Sequence, residues 1–279
     1  MRWGDDSRGQ TREDGMRAND AEKPAASKVV LVAALVLTGL AGLLLFFAVS
    51  DTGHRSAQAL DASAGQEVIL GQSVRGAPLV LTRFGSGSHR LLVIGGIHGD
   101  EFGTAVAEQL VDALRTDPHL LPTDTLVDVI ETMNPDGLAA YTRGNADKVD
   151  LNRNMPSANW AATLDPRDSS ATRGLSGGTR PGSEPETQAF IAALKNDYGV
   201  VVSLHSNGGL VDFDGPGAEA LAGRLAAMSG LPLGHLPYQP YIHGSMGGYL
   251  AAIGMPLITV ELTSPVLTQG LRTGMLSLP

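Results

Sequence analysis

The chain has 279 residues, 43% of them hydrophobic, no cysteine, and a formal net charge of −9. Without cysteine there can be no disulfide frame, thiolate metal site or cysteine nucleophile, and the acid excess argues against a nucleic-acid partner, which calls for a basic footprint. Residues 1–50 hold six Lys/Arg and six Asp/Glu, so the whole excess of acid lies in the remainder, which at roughly 215 to 230 residues is the size of one medium domain.

Residues 1–27 carry charges of both signs with no apolar period and read as a disordered tail. Val29 to Val49 is an uncharged run of Val, Leu, Ala, Gly and Phe. At about 1.5 Å rise per residue it reaches across a hydrocarbon core of roughly 30 Å, so 28–50 is predicted to be a single transmembrane anchor. Lys23 and Lys28 before it and Asp51 after it put the tail in the cytoplasm and the folded part outside. A cleaved signal peptide is the alternative, since Ala48-Val49-Ser50 and Ala57-Gln58-Ala59 carry small residues in cleavage-like places. The expected location is the cell membrane, with secretion as the alternative. Within the segment, Ala34, Thr38 and Gly42 fall on one helix face, a spacing that favours close helix pairing.

A polar Ala/Ser-rich linker at 51–66 precedes a domain predicted to occupy 67–279. Val68-Ile69-Leu70 and Leu79-Val80-Leu81 suggest a hairpin or two neighbouring strands. Leu91-Leu92-Val93-Ile94 is a buried strand, followed by an amphipathic helix from about Glu101 to Arg115. Leu126 to Ile130 is another strand, closed by a turn at Asn134-Pro135-Asp136-Gly137. Leu138 to Gly182 is rich in Gly, Ser, Asp and Asn and has little periodicity, the mark of a functional or disordered loop. Ser183-Glu184-Pro185-Glu186 reads as a capping box opening a helix to about Tyr198. Then come a strand at Val200–Leu204, a turn at Asp212-Phe213-Asp214-Gly215 that lacks the later ligands of a calcium loop, a helix at about Ala218–Met228, a short helix near Gly247–Ile253, a strand at Pro256–Glu261 and a short terminal helix. Strands alternating with helices predict an α/β fold, a three-layer α/β/α sandwich around a mixed, mostly parallel twisted sheet.

Three apolar strand-like runs end at or beside a group able to bind metal or move a proton: His98 and Glu101 after the first, His205 at the end of the second and Glu261 at the end of the third. Ligands of such sheets bind beyond the strands' carboxyl ends. Two histidines and a carboxylate leave a fourth position on a catalytic zinc open for water, and a further carboxylate can serve as its base. Glu261 closes Leu257-Ile258-Thr259-Val260, where a buried carboxylate needs a metal, a cation or a catalytic use. Among the other histidines, His54, His89, His119 and His235 have no ligand-like partner, and His243, beside Gly244-Ser245, is the one that could touch substrate.

These segments stand in order with Asn134-Pro135-Asp136-Gly137, Thr142-Arg143-Gly144-Asn145, Val149-Asp150-Leu151-Asn152-Arg153-Asn154, Ser183 to Thr187 and Gly244-Ser245-Met246-Gly247. Together they resemble the zinc carboxypeptidases and, within them, the murein peptide amidase branch, which cleaves the γ-D-glutamyl-diaminopimelate bond of peptidoglycan peptides. The resemblance covers residues 67 to about 265. It implies one Zn2+ held by His98, Glu101 and His205, with Glu261 as general base and then acid, and Arg143 facing the oxyanion. It further implies that Asn152 and Arg153 grip a substrate carboxylate, that Asp150 orients the first zinc histidine, and that the partner is a peptide or muropeptide. The family's substrate-closing tyrosine has candidates in Tyr238 and Tyr241. Met155 stands where an aromatic is commoner. A zinc N-acyl amino acid deacylase, which would not need the Asn152-Arg153 block, and a non-catalytic wall-peptide binding module are the alternatives.

Overall fold

A computed structural model describes residues 65–206 and 208–278. The predicted tail at 1–27, the anchor at 28–50 and all but the last two residues of the linker lie outside the described residues. Among the described residues no helix is long and apolar enough to cross a membrane.

The folded part opens at Gln66, one residue inside the expected linker, with strand β1 (Gln66–Gln72) paired to β2 (Pro78–Gly85) as an antiparallel hairpin. Then follow β3 (His89–Ile94), helix α1 (Gly103–Thr116), β4 (Thr125–Ile130), α2 (Pro135–Ala140), α3 (Pro185–Ala193), β5 (Val200–Ser206), β6 (Val211–Asp214), α4 (Ala218–Ser229), α5 (Met246–Ala252), β7 (Leu257–Leu262) and α6 (Gln269–Leu276). The seven strands form one sheet in the order β1-β2-β4-β3-β5-β7-β6. Only the inner pairings β4·β3, β3·β5 and β5·β7 are parallel. The three outer pairings are antiparallel, so the sheet is mixed but not mostly parallel. The β1–β2 hairpin builds one edge and β6, antiparallel to β7, builds the other, whereas parallel neighbours need long crossovers.

Side-chain alternation divides the core between the two faces. Leu91, Val93, Val202, Leu204, Ile258 and Val260 meet α1, α4 and α6 on one side. Leu92, Ile94, Val201 and Leu257 meet Phe190 and Ala193 of α3 and Met246 and Leu250 of α5 on the other. This is the expected three-layer arrangement. Met155 is fully buried in the second core, so the flexible thioether fills that space without an aromatic ring.

Three local expectations change. Asn134-Pro135-Asp136-Gly137 is the start of α2 rather than a free turn: Asn134 is the N-cap, its side chain accepting from the Gly137 N–H, with Pro135 in the first turn. Helix α3 starts at Pro185 with no side-chain cap. Its would-be capping groups are engaged elsewhere, the Ser183 hydroxyl with Asn154 and Glu184, and Glu186 with the Val74 N–H and Asn145. The expected turn at Asp212–Gly215 is mostly strand β6, antiparallel to β7. Its Val-Asp-Phe-Asp sequence has the period of a strand, with Val211 and Phe213 against the first core and the two aspartates on the opposite face.

Candidate active site

The carboxyl ends of β3, β5 and β7 define the site. After β3 the chain turns through Gly96, whose φ is 56°. A Cβ there would lie 2.2 Å from Thr104 Oγ1, so only glycine fits. This turn delivers His98 and Glu101 just before α1. The β5·β7 register sets His205 directly beside Glu261, with Ser203 beside Thr259 one step down the same face.

His98, Glu101 and His205 each offer a ligand atom within 4.8 Å of the others. His98 Nδ1 lies 2.8 Å from Glu101 Oε1, and His205 Nδ1 lies 3.1 Å from Glu101 Oε2. Tetrahedral zinc with bonds of ~2.0–2.1 Å spreads its donors by about 3.3 Å, so a small outward shift seats the ion. The nitrogen of His98 turned away from the triad, Nε2, is 3.0 Å from Asp150 Oδ1. With zinc bound, that contact would keep the proton on Nε2 and leave the Nδ1 lone pair for the metal. Two imidazoles and a carboxylate with this support are a donor set that fits zinc.

The other expected site residues surround the triad. Asp150 is fully buried and accepts from His98, from Arg143 Nε at 2.8 Å and from the Asn152 N–H at 2.9 Å. Arg143 also donates through Nη1 to Glu101 Oε1 at 2.9 Å, and among the described residues its Nη2 makes no hydrogen bond. Glu261 is buried and accepts from the Gly208 N–H at 3.2 Å. Burial raises its pKa, His205 opposes the rise and Glu101 adds to it. Asn152 accepts the Met246 N–H on Oδ1 at 2.8 Å, which leaves its Nδ2 amide free to donate. Arg153 is buried, with Nε and Nη2 on Asp168 at 2.6 and 2.8 Å and Nη1 on the Asn152 carbonyl. Of its five N–H groups, one on each terminal nitrogen remains for an end-on carboxylate.

His98, Glu101, Arg143, Asn152, Arg153, His205 and Glu261 all line one cavity of about 840 Å³. Tyr238 lines it too, and burial and the Glu261 carboxylate raise its phenol pKa. Tyr241 does not line it; its ring lies under the Arg167 guanidinium, 4.3 Å from the centroid. His243 is likewise outside the lining. His235 sits at the rim, paired to Asp212. The sequence reading missed Asp168, which comes from the unpatterned loop and gives no local signal. It also missed Ser203, which the period of two along β5 would have placed on the cleft face; Asp212 and Asp214, from the segment read as a turn, line the cavity as well.

A three-layer sheet carrying this donor set at its carboxyl edge is the architecture of a zinc-type metallohydrolase. Residues 57–214 match the zinc carboxypeptidase family, and the chain belongs to that family, in its murein peptide amidase branch. It is 37% identical over 199 residues to murein peptide amidase A of Escherichia coli K12, covering 68% of this chain and 78% of that protein. The corresponding figures for murein peptide amidase A of Vibrio campbellii are 38% over 203 residues, 69% and 77%. The crystal structure of the murein-tripeptide amidase of Escherichia coli O157 superposes with a TM-score of 0.59 at 31% identity, covering 78% of this chain and 93% of that one. Bovine thrombin-activatable fibrinolysis inhibitor shares the fold, with a TM-score of 0.60 at 20% identity over 77% of this chain and 86% of that one. The chain is a hydrolase.

Proposed function

We propose that this hydrolase uses one zinc ion to cleave the amide bond between γ-D-glutamate and diaminopimelate in peptidoglycan-derived peptides, on a substrate with a free carboxylate next to the scissile bond. The observation that carries this reading is a metal-competent His98/Glu101/His205 triad in one cavity with a buried carboxylate, Glu261, and a carboxylate grip, Asn152 and Arg153. Its likeness to murein peptide amidases supports the choice of wall peptide.

Zinc bound here would polarise the carbonyl and bring the pKa of its water to about 7. Glu261 then takes a proton from the attacking water and returns it to the departing amine, a role suited to a carboxylate whose pKa burial has raised. The free Nη2 of Arg143 donates to the carbonyl oxygen as it gains negative charge. The Asn152 amide and the outer N–H groups of Arg153 hold the carboxylate of the leaving residue, which fixes the bond over Glu261. Tyr238, which lines the cavity where Tyr241 does not, is the better placed of the two tyrosines to close over substrate. The carboxylate grip sets this reading apart from a deacylase.

The uncharged run at Val29–Val49 supports a second part of the proposal, that the hydrolase is anchored in the cell membrane with its catalytic domain outside the cytoplasm. Carbonate extraction of membranes, protease accessibility in spheroplasts and N-terminal sequencing test it. Release by carbonate, or a start after Ser50 or Ala59, would replace the anchor with a cleaved signal.

The test of the activity is mass spectrometry of products from the zinc-loaded chain and a Glu261→Gln variant. The substrates are L-alanyl-γ-D-glutamyl-meso-diaminopimelate and an ordinary L-peptide with a free carboxyl end. Release of diaminopimelate by wild type alone supports the proposal. Release from the L-peptide alone would discard the wall substrate, and no product from either would bring a deacylase forward.

A further inference from the structure

Glu184 and Glu186 are buried carboxylates at the start of α3, 5% and 1% exposed, with no part in the chemistry above. The positive end of a helix favours negative charge there, but it does not decide where the two side chains point. Their shared partner does. Asn145 Nδ2 donates to Glu184 Oε2 at 2.7 Å and to Glu186 Oε2 at 3.2 Å. At the other end of the same amide, Oδ1 accepts the Asp147 and Val149 N–H groups, each at 3.1 Å. Only the NH2 end of an amide can face carboxylates and only its oxygen can face N–H groups, so this orientation is the one that satisfies every partner. The Asn145 N–H also bonds the Val149 carbonyl at 3.0 Å, and the residue closes a turn over 145–149. Arg143 and Asp150 flank that turn and meet across it, Nε to Oδ2 at 2.8 Å. The glutamates are anchored in turn through their second oxygens. Glu184 Oε1 accepts from the Ser183 hydroxyl at 2.5 Å, and Glu186 Oε1 from the Val74 N–H, in the connection between β1 and β2, at 3.1 Å. The next N–H of that connection, Arg75, goes to Asp136 Oδ2 of α2 at 2.9 Å, and Asn134, the N-cap of α2, donates to the Arg143 carbonyl at 3.2 Å.

We propose that Glu184 and Glu186 are positioning residues for Arg143, holding the 143–150 loop through Asn145 so that the guanidinium faces the scissile carbonyl. None of Asn145, Glu184 and Glu186 lines the cavity, so they act on the reaction only through the loop. Arg143 and Asp150 sit together on that loop, whereas Glu101 and His98 are held from β3. A loop that shifts therefore carries the first pair away from the second. A carboxylate is required at 186 because both of its partners donate. A glutamine there could serve the Val74 N–H or the Asn145 amide, and would turn its own NH2 against the other. This rests on the reading of Arg143 as the group that faces the oxyanion, and adds to it the groups that keep it in place.

The experiment measures kcat and KM of the full-length chain at saturating zinc on L-alanyl-γ-D-glutamyl-meso-diaminopimelate, for wild type, Glu186→Gln, Arg143→Ala and the double variant. The arginine Nε–H resonances of each are recorded by nitrogen-15 NMR, the Arg143 signal being the one that Arg143→Ala removes. Glu186→Gln is expected to shift that signal and to lower kcat about 10- to 100-fold with little change in KM. In the Arg143→Ala background it should lower kcat no further. An equal loss in both backgrounds, an unchanged kcat, or a rise in KM alone would overturn the proposal. The triple variant Asn145→Asp, Glu184→Gln, Glu186→Gln exchanges donors for acceptors and keeps every side-chain bond of the cluster, so it should restore both kcat and the Arg143 signal. A triple variant that folds and stays slow, or that fails to fold, would overturn the proposal, and this arm decides the matter if Glu186→Gln does not fold. No turnover by wild type would refute the hydrolytic reading on this peptide, and the Arg143 signal would still report whether Glu186 positions that residue.

Discussion

Asp150→Asn is nearly isosteric, yet the structure assigns it a defined cost. All three partners of the Asp150 carboxylate are donors: His98 Nε2 and the Asn152 N–H on Oδ1, Arg143 Nε on Oδ2. An asparagine must turn its amide nitrogen toward one of these sets. Facing Arg143 is the cheaper choice, because it forfeits one bond rather than two. That bond is charge-assisted and buried, worth about 1.5–3 kcal/mol, and Arg143 keeps its second carboxylate on Glu101. A stability loss of about 2–3 kcal/mol is therefore expected in urea denaturation. The amide oxygen still accepts from His98 Nε2, but without the carboxylate's charge the imidazole is a weaker ligand, so zinc affinity should fall about 10- to 100-fold, or ~1.4–2.7 kcal/mol. Competition with a chromophoric chelator on the full chain reads that affinity directly. Phe190→Ala is the control: Phe190 is 1% exposed in the core beneath α3, so its loss should cost about 3–5 kcal/mol of stability and leave zinc affinity unchanged. An Asp150→Asn variant that binds zinc as tightly as wild type would refute the argument that the Asp150 charge strengthens His98 as a ligand.

Other expectations follow from the same site. Glu261→Gln should lower kcat by about 10²- to 10⁴-fold while zinc content, measured by atomic emission, stays stoichiometric. Removing metal with a chelator should abolish turnover and lower the thermal midpoint, and added zinc should restore both; turnover that persists in verified metal-free protein would contradict the triad's role. Arg153→Ala leaves Asp168 buried without its partner and should cost about 3–5 kcal/mol. Arg153→Met with Asp168→Leu should recover much of that stability in denaturant titrations. Both variants should raise KM for substrates with the free carboxylate, because neither restores the grip; a normal KM in the double variant would remove Arg153 from substrate binding.

The most legible parts of the molecule were those where one local period decides the outcome. Strands β3, β5 and β7 are apolar runs in the sequence because both of their faces are covered, and His205 and Glu261 stand out as polar groups at the ends of such runs. His98 and Glu101 were legible because they follow a strand closely and precede a helix. The ends of α3 and the identity of β6 were harder. Ser183 could cap its helix by local spacing, but Asn154 competes for the same hydroxyl from the opposite side of the loop. Four residues of β6 are too few to separate a strand from a turn until β7 is there to pair with it.

Residue order by itself determined which groups can bind metal or carry protons, and that they fall at the carboxyl edge of an α/β sheet, because side-chain chemistry and hydrophobic period are properties of short segments. Tertiary structure alone decided that His205 stands beside Glu261, that Asp150 reaches back 52 residues to orient His98, that Arg153 is clamped by Asp168, and that Asp214 looks into the same cavity. Each of these depends on sheet register or on a loop closing across the core. Such long-range contacts arise when the whole chain buries its apolar faces, and no local pattern encodes them.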